Sequence, residues 1–111
     1  MQTNTCAEIR ELMEQGGQLV DVRTPMEFYQ GALPGAVNIP LQAINLATDA
    51  LDRSKPVLLY CRSGSRSATA KLWLHTMGFQ NVVDVGMPYR YAQCLAQAEA
   101  EGREKLSPAY A

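Results

Sequence analysis

The spacing of apolar residues along the chain predicts short strands separated by helices. Apolar runs of strand length, bounded by turn residues, occupy positions 18–22, 36–39, 56–60 and 81–85. The run 56–60 is apolar on both faces, as is typical of a central strand in a parallel sheet. Helical spacing predicts helices over 5–15, 24–30, 66–77 and 88–100, and a weakly helical segment over 41–51 with Leu41, Ile44, Ala47 and Leu51 facing inward.

Helix-start signals support this order of elements. Thr5 and Glu8 stand at capping-box spacing, and Thr24 precedes a proline and an early acid, Glu27. The order predicts an α/β domain, with a small, mainly parallel sheet of four to five strands and helices on both faces. We assign residues 1–100 to this single domain and 101–111 to a loose tail. Sites in such sheets form at the carboxyl ends of strands, and Cys61 follows one of these ends.

Composition and charge narrow the class of protein. The chain has 111 residues, 47% of them hydrophobic, which suits one globular domain with its own core. A net charge of −1 gives no support for nucleic-acid binding. No apolar run approaches the roughly 20 residues of a membrane span, and the first residues lack the basic and apolar regions of a signal peptide. We therefore expect a cytoplasmic protein without nucleic-acid or membrane partners, and nothing requires more than a monomer.

Three cysteines, at positions 6, 61 and 94, limit the thiol chemistry. They cannot all pair within the chain and form no C-x-x-C, which argues against a disulfide scaffold or a dithiol motif and favours a reducing compartment. The single histidine and the absence of a close cysteine pair argue against structural zinc. Cys6 and Cys94 fall on the first and last predicted helices, where inert thiols are the default. The alternative for Cys94 is a resolving role toward Cys61.

The segment 61–67 joins a strand to a helix start and concentrates positive charge near one thiol. Turn N–H groups and the helix dipole favour an anion here, and Arg62 and Arg66 add full charges within one turn. Gly64 lets the backbone curl around a bound group. Such surroundings lower the pKa of a cysteine and favour its thiolate. The alternative is that Cys61 is an inert thiol buried at a strand end.

A second segment, residues 21–40, carries a longer pattern: DVRTPMEFYQGALPGAVNIP. It looks like a signature of D-V-R, then E-F, then G-H-I-P-G-A-x-N-I-P. Together with the cysteine loop it resembles the rhodanese homology family, the single-domain thiosulfate sulfurtransferases, over about residues 5–98. Physically, most of this segment is structural: Asp21 and Arg23 can fix the neighbouring loop through charged hydrogen bonds. We expect Glu27, four residues further on, to form an ion pair with Arg23.

The number of residues between Cys61 and Arg66 separates two reactions. Four residues intervene, whereas cysteine phosphatases, including relatives with this fold, look like C-x5-R with a larger loop around a phosphate. The sixth residue after Cys61 is Ser67 rather than arginine. The shorter loop favours a sulfur donor, and phosphate or arsenate chemistry is the weaker alternative.

The resemblance implies a ping-pong sulfur transfer with Cys61 as the catalytic nucleophile. Cys61 would take the outer sulfur of thiosulfate or a similar donor and pass it to cyanide or a cellular thiol, including a thiol protein. No metal or organic cofactor is needed, because the cysteine carries the group covalently. The substrate-binding residues implied are Arg62, Ser63, Gly64, Ser65 and Arg66. The alternative is a persulfide carrier or redox-sensing module with little small-molecule turnover.

Basic residues are in local excess around the loop. Between positions 52 and 71, five basic residues accompany a single acid, Asp52. The five are Arg53, Lys55, Arg62, Arg66 and Lys71. This excess predicts attraction of an anionic donor, and a solvated basic face is the alternative.

The chain departs from the family pattern at two places. Ala32 stands where the family has histidine in G-H-I-P-G, and we expect activity to survive this change. Residues 85–91 hold one glycine and no tryptophan where the family has G-G-x-x-x-W, near the expected mouth of the site. On the helix after the loop, we expect a structural or surface role for His75 and core positions for Trp73 and Met77.

Overall fold

The computed structural model describes residues 5–46 and 48–100. Its helices and strands follow the predicted order. They are α1 Cys6–Glu14, β1 Gln18–Asp21, α2 Pro25–Gln30, β2 Val37–Asn38, β3 Val57–Tyr60, α3 Ser65–Thr76, β4 Val82–Gly86 and α4 Pro88–Ala100. The weakly helical segment is two short 3-10 turns, Leu41–Ala43 and Thr48–Ala50. Ala47 and the predicted tail at 101–111 lie outside the described residues.

The strands form one parallel sheet in the order β2-β1-β3-β4. The predicted α/β class and parallel sheet are therefore confirmed, with four strands in the described part of the chain. Asp21 at the end of β1 pairs with Tyr60 at the end of β3, and Tyr60 pairs with Gly86 at the end of β4. These carboxyl ends thus meet at one edge of the sheet, directly before the cysteine loop.

Helices cover both faces of the sheet and enclose two apolar cores. On one face, Val20, Leu59 and Cys61 pack with residues of α3. On the other face, Leu58 and Tyr60 pack with residues of α1 and α4. Alternation along β3 therefore directs the Cys61 side chain to the α3 face.

Two capping boxes fix the starts of α1 and α2. The Thr5 side chain accepts the N–H of Glu8, and the Glu8 carboxylate accepts the N–H of Thr5. Thr24 and Glu27 form the same reciprocal pair at α2. The predicted capping box at α1 is confirmed, and the second box places the Glu27 carboxylate at the start of α2.

Charged hydrogen bonds after β1 hold the connection to β2. The Arg23 guanidinium binds the fully buried carboxylate of Asp21, with an Nη2–Oδ2 distance of 2.7 Å. The same Nη2 donates to the carbonyl of Gly31 at 2.6 Å. The Asn38 amide donates to the carbonyls of Asp21 and Arg23, both at 2.9 Å. The structural role predicted for Asp21 and Arg23 is therefore confirmed.

Cys6 and Cys94 form a disulfide between α1 and α4, with a Cα–Cα distance of 5.0 Å. The prediction of two inert thiols is wrong, and the resolving role for Cys94 fails with it. An odd cysteine count leaves one thiol over, which here is Cys61, but it does not prevent the other two from pairing. The pairing also removes the argument for a reducing compartment, so the cytoplasmic location stays a prediction.

The exposed side of α3 differs from expectation at one residue. Trp73 is 43% exposed and, with the half-buried Met77, lines a surface cavity of about 500 Å³ between α3 and the first 3-10 turn. The core position predicted for Trp73 is therefore wrong. His75 is exposed on the same helix. None of the helices in the described ranges is long and apolar enough to cross a membrane.

Candidate active site

Cys61 is the first residue after β3 and is fully buried. Its N–H donates to the carbonyl of Gly86 at the end of β4, at 2.9 Å. Cys61 is also the free cysteine of the described chain. The sheet thus holds this thiol at the carboxyl edge of its two neighbouring strands.

The loop after Cys61 curls so that its polar groups converge on the sulfur. The Gly64 N–H lies 2.9 Å from Sγ and the Ser67 N–H lies 3.4 Å from it. The Cys61 thiol donates to the Ser67 Oγ at 3.6 Å, and the Ser67 hydroxyl donates to the carbonyl of Gly64 at 3.1 Å. Gly64 has φ = 99°, a left-handed conformation that favours glycine, and it caps α3. The left-handed backbone conformation of Gly64 therefore turns its N–H toward the thiol, as the prediction of a flexible glycine at this position requires.

These contacts favour the thiolate of Cys61. Burial raises the pKa of the thiol, because it disfavours the charged form. Hydrogen bonds outweigh this effect and bring the pKa below its usual value; they come from the Ser67 hydroxyl and from the N–H groups of Ser67, Gly64 and Ser63. A buried, inert thiol does not require such an array of donors.

Ser67 is a site residue that the sequence interpretation missed. It is fully buried and is the third residue of α3, so its side chain points back toward the start of the helix and the sulfur. A helix start after Gly64 could have indicated it, because the first-turn N–H groups face outward from that end. By contrast, the side chains of Ser63 and Ser65 are exposed.

The two loop arginines bind a carboxylate from another element. Arg66 contacts Glu27 through both terminal nitrogens, at 2.9 Å and 3.2 Å, and Arg62 Nη1 lies 3.6 Å from Glu27 Oε2. The expected Glu27–Arg23 pair is therefore wrong. Bonds from Arg66, and then from the Thr24 N–H, lower the pKa of Glu27 to about 2. Glu27 thus stays charged at neutral pH and offsets part of the arginine charge.

The basic excess predicted over 52–71 divides between two ends of the molecule. Arg53 donates to the carbonyl of Met77 at the end of α3, and Lys55 lies near Asp52 before β3 begins. Both precede the amino end of β3, whereas Cys61 follows its carboxyl end. Lys71 lies further along α3, so Arg62 and Arg66 are the members of the predicted five that belong to the segment 61–67.

The two segments that depart from the family pattern lie in different places relative to the cysteine loop. Gly86, within the 85–91 segment, lies beside the loop, since a Cβ on Gly64 would be in ordinary van der Waals contact with the Gly86 Cα at 3.7 Å. Met87 and Tyr89, just beyond it, are exposed. Ala32 lies exposed in the connection between α2 and β2.

Replacing Ser67 with alanine should raise the pKa of Cys61, because the variant removes a hydroxyl that can turn from the Gly64 carbonyl and donate to the thiolate once the thiol ionises. At a pH below the inflection the alkylation rate should fall about tenfold, the effect of losing one hydrogen bond to a charged group. The pH dependence of Cys61 alkylation by iodoacetamide measures it. Thr69→Ala, which removes a hydroxyl further along α3, is the control. An unchanged inflection in Ser67→Ala would contradict the assigned role of this hydroxyl.

A comparison with known protein families finds one family that matches this chain. The family described as "Rhodanese-like domain" matches residues 5–87, which include both motifs and the cysteine loop. The chain belongs to this family. The match contains β1 to β4 and α1 to α3, so it covers most of the fold described above.

Named relatives agree with this membership. The rhodanese-like chain is 33% identical over 78 residues to the thiosulfate sulfurtransferase GlpE of Pseudomonas syringae, an alignment that covers 70% of this chain and 74% of that protein. It is 38% identical over 69 residues to the thiosulfate sulfurtransferase PspE of Escherichia coli, covering 60% of this chain and 66% of that protein. Against a sulfurtransferase of Allochromatium vinosum, the alignment is 37% identical and spans 63% of the relative. The chain thus covers just under two thirds of the latter two proteins.

Solved structures share the fold. A rhodanese-related protein from Thermoplasma volcanium superposes with a TM-score of 0.68 at 28% identity, covering 84% of this chain and 92% of that one. The human single-domain sulfurtransferase TSTD1 gives a TM-score of 0.63 at 25% identity, covering 82% and 94%. The rhodanese-like fold is therefore confirmed for this chain.

Proposed function

We propose that this rhodanese-like domain is an enzyme that transfers sulfane sulfur through a persulfide on Cys61. The observation that carries the proposal is the convergence of the Gly64 N–H, the Ser67 N–H and the Ser67 Oγ on one sulfur atom. Relatives named as thiosulfate sulfurtransferases support thiosulfate as the donor. The proposal includes a monomeric enzyme whose acceptor is cyanide or a thiol.

The first half-reaction loads the cysteine. The Cys61 thiolate attacks the outer sulfur of thiosulfate and forms a new S–S bond. The sulfur–sulfur bond of thiosulfate breaks, and sulfite leaves with its electron pair. The residues proposed to bind the donor are those of the loop: Arg62, Ser63, Gly64, Ser65 and Arg66.

The second half-reaction transfers the terminal sulfur of the Cys61 persulfide to the acceptor. Cyanide attacks the terminal sulfur of the persulfide, thiocyanate leaves, and the Cys61 thiolate is restored with the electrons of the broken bond. A thiol acceptor gives a new persulfide in the same way. The loop donors stabilise the sulfur anion at the end of each cycle, because hydrogen bonds to a charged group are stronger than those to a neutral one. The sulfur itself is carried covalently, so the proposed cycle uses no cofactor.

Intact-mass spectrometry after incubation with thiosulfate tests the proposal. We expect the protein to gain the mass of one sulfur atom, to lose it on addition of cyanide, and to release thiocyanate over many cycles. No added sulfur would contradict the proposal. Loading and discharge without repeated turnover would instead favour the persulfide carrier, and release of phosphate from an aryl phosphate would favour phosphatase chemistry.

A further inference from the structure

The Glu27 carboxylate joins α2 to both ends of the short loop between Cys61 and Ser67. On its own element it completes the capping box with Thr24. Across the fold it binds Arg66, which immediately precedes Ser67, and lies near Arg62, which immediately follows Cys61. A carboxylate used only as a helix cap needs none of these arginine contacts.

The two arginines are held to different degrees. Arg66 makes two short, roughly parallel hydrogen bonds, and its side chain is 30% exposed. Arg62 makes a single longer contact of 3.6 Å, and its side chain is 75% exposed. Bidentate pairs fix geometry, whereas a long, exposed ion pair contributes little and breaks easily.

We propose that Glu27 is a positioning residue that fixes Arg66 as part of the loop frame and leaves Arg62 to receive the negative charge of the sulfur donor. This assignment rests on the proposed function in taking the donor to be an anion. The three side chains carry one net positive charge, since one carboxylate stands against two guanidiniums. Because Arg66 retains its partner, the charge that can turn toward an incoming anion belongs to Arg62.

Alkylation of Cys61 tests this charge assignment without any sulfur transfer. Iodoacetate and iodoacetamide react alike: Sγ bonds to the methylene carbon and iodide leaves with the bonding electrons. Iodoacetate carries a negative charge and iodoacetamide carries none. The ratio of their rate constants therefore reports the charge near the thiol and cancels changes in thiolate fraction or access.

Three variants give the expected pattern. Arg62→Gln should lower the iodoacetate-to-iodoacetamide ratio about three- to tenfold, the effect of one charge several Å away in a partly solvated site. Glu27→Gln should raise the ratio about threefold, because it removes the offsetting charge. Glu8→Gln, the matched control, removes the charge from the same kind of capping box at α1, keeps an oxygen that can accept the Thr5 N–H, and should match the unmodified protein. The effects of Arg62→Gln and Glu27→Gln on the ratio should both shrink in 1 M salt.

The pH dependence of Cys61 alkylation tests whether Arg66 holds the loop in position. Arg66→Gln should raise the pH inflection of iodoacetamide alkylation, because it loosens the segment that carries the Ser67 donors, and Arg62→Gln should move it less. The proposal would be overturned if Arg62→Gln and Arg66→Gln changed the iodoacetate-to-iodoacetamide ratio equally and also shifted the pH inflection equally. It would also be overturned if Glu27→Gln lowered the ratio, or if Glu8→Gln changed the ratio as much as Glu27→Gln does. If Glu27→Gln fails to fold, the two arginine variants still decide. If the variants show the expected ratios but the protein never gains sulfur from thiosulfate, the proposed function is contradicted and the charge assignment stands.

Discussion

Cys61→Ser should abolish sulfur loading from thiosulfate. Serine keeps the shape and can keep contacts to the Gly64 and Ser67 N–H groups, so the loop should remain folded. Its hydroxyl is not ionised near neutral pH and cannot form a persulfide, because that intermediate requires a nucleophilic sulfur. Turnover with thiosulfate and cyanide should fall by about 10⁴-fold or more, as is usual when a covalent nucleophile is removed.

The matched control removes the other two cysteines. Cys6→Ala/Cys94→Ala leaves Cys61 as the single thiol and should still gain one sulfur atom, measured by intact mass under conditions where circular dichroism shows it folded. Loading of Cys61→Ser to the level of the unmodified protein would refute the role of this residue. Loss of loading in the folded double variant would likewise contradict it.

Breaking the Cys6–Cys94 disulfide should cause the largest loss of stability among the changes considered. The bond joins residues separated by 88 positions, so it closes a loop of nearly the whole domain. In the chain-entropy treatment, opening a loop of that size lowers the free energy of unfolding by about 4 to 5 kcal/mol. The urea midpoint should therefore fall by about 2 to 4 M, given the usual dependence on denaturant for a domain of this size.

Urea unfolding with and without dithiothreitol measures this effect. Under denaturing conditions a thiol reagent should detect one thiol before reduction and three after it. Cys61→Ala lacks only the free thiol and should show the same dependence on reductant. Equal urea midpoints for the oxidised and reduced protein would show that the bond does not support the fold.

Local signals made much of the fold predictable from sequence. The capping pair Thr5–Glu8 and the continuous apolar run of β3 involve residues close together in the chain, so their spacing carries the information. The same holds for Cys61 and Gly64, which lie within one turn of a helix start. Physical effects that act over one or two turns can be recognised before a structure is known.

Contacts between distant elements could not be predicted in this way. The Glu27–Arg66 pair spans 39 positions, and spacing on α2 alone pointed instead to Arg23. The Cys6–Cys94 bond depends on α1 and α4 packing on the same face of the sheet, which no periodicity along the chain encodes. Trp73 has core spacing on α3, yet it lies beside a groove that the 3-10 turn residues do not fill.

The sheet keeps two kinds of sulfur chemistry apart. Cys61 belongs to the core on the α3 face, whereas Cys94 belongs to the core between the sheet, α1 and α4. Thiol–disulfide exchange needs direct attack of one sulfur on another, and the backbone of β3 and β4 stands between these two. Under the proposed function, a persulfide on Cys61 therefore has no disulfide of the described chain within reach, and the oxidised protein keeps the bound sulfur atom until an outside acceptor arrives.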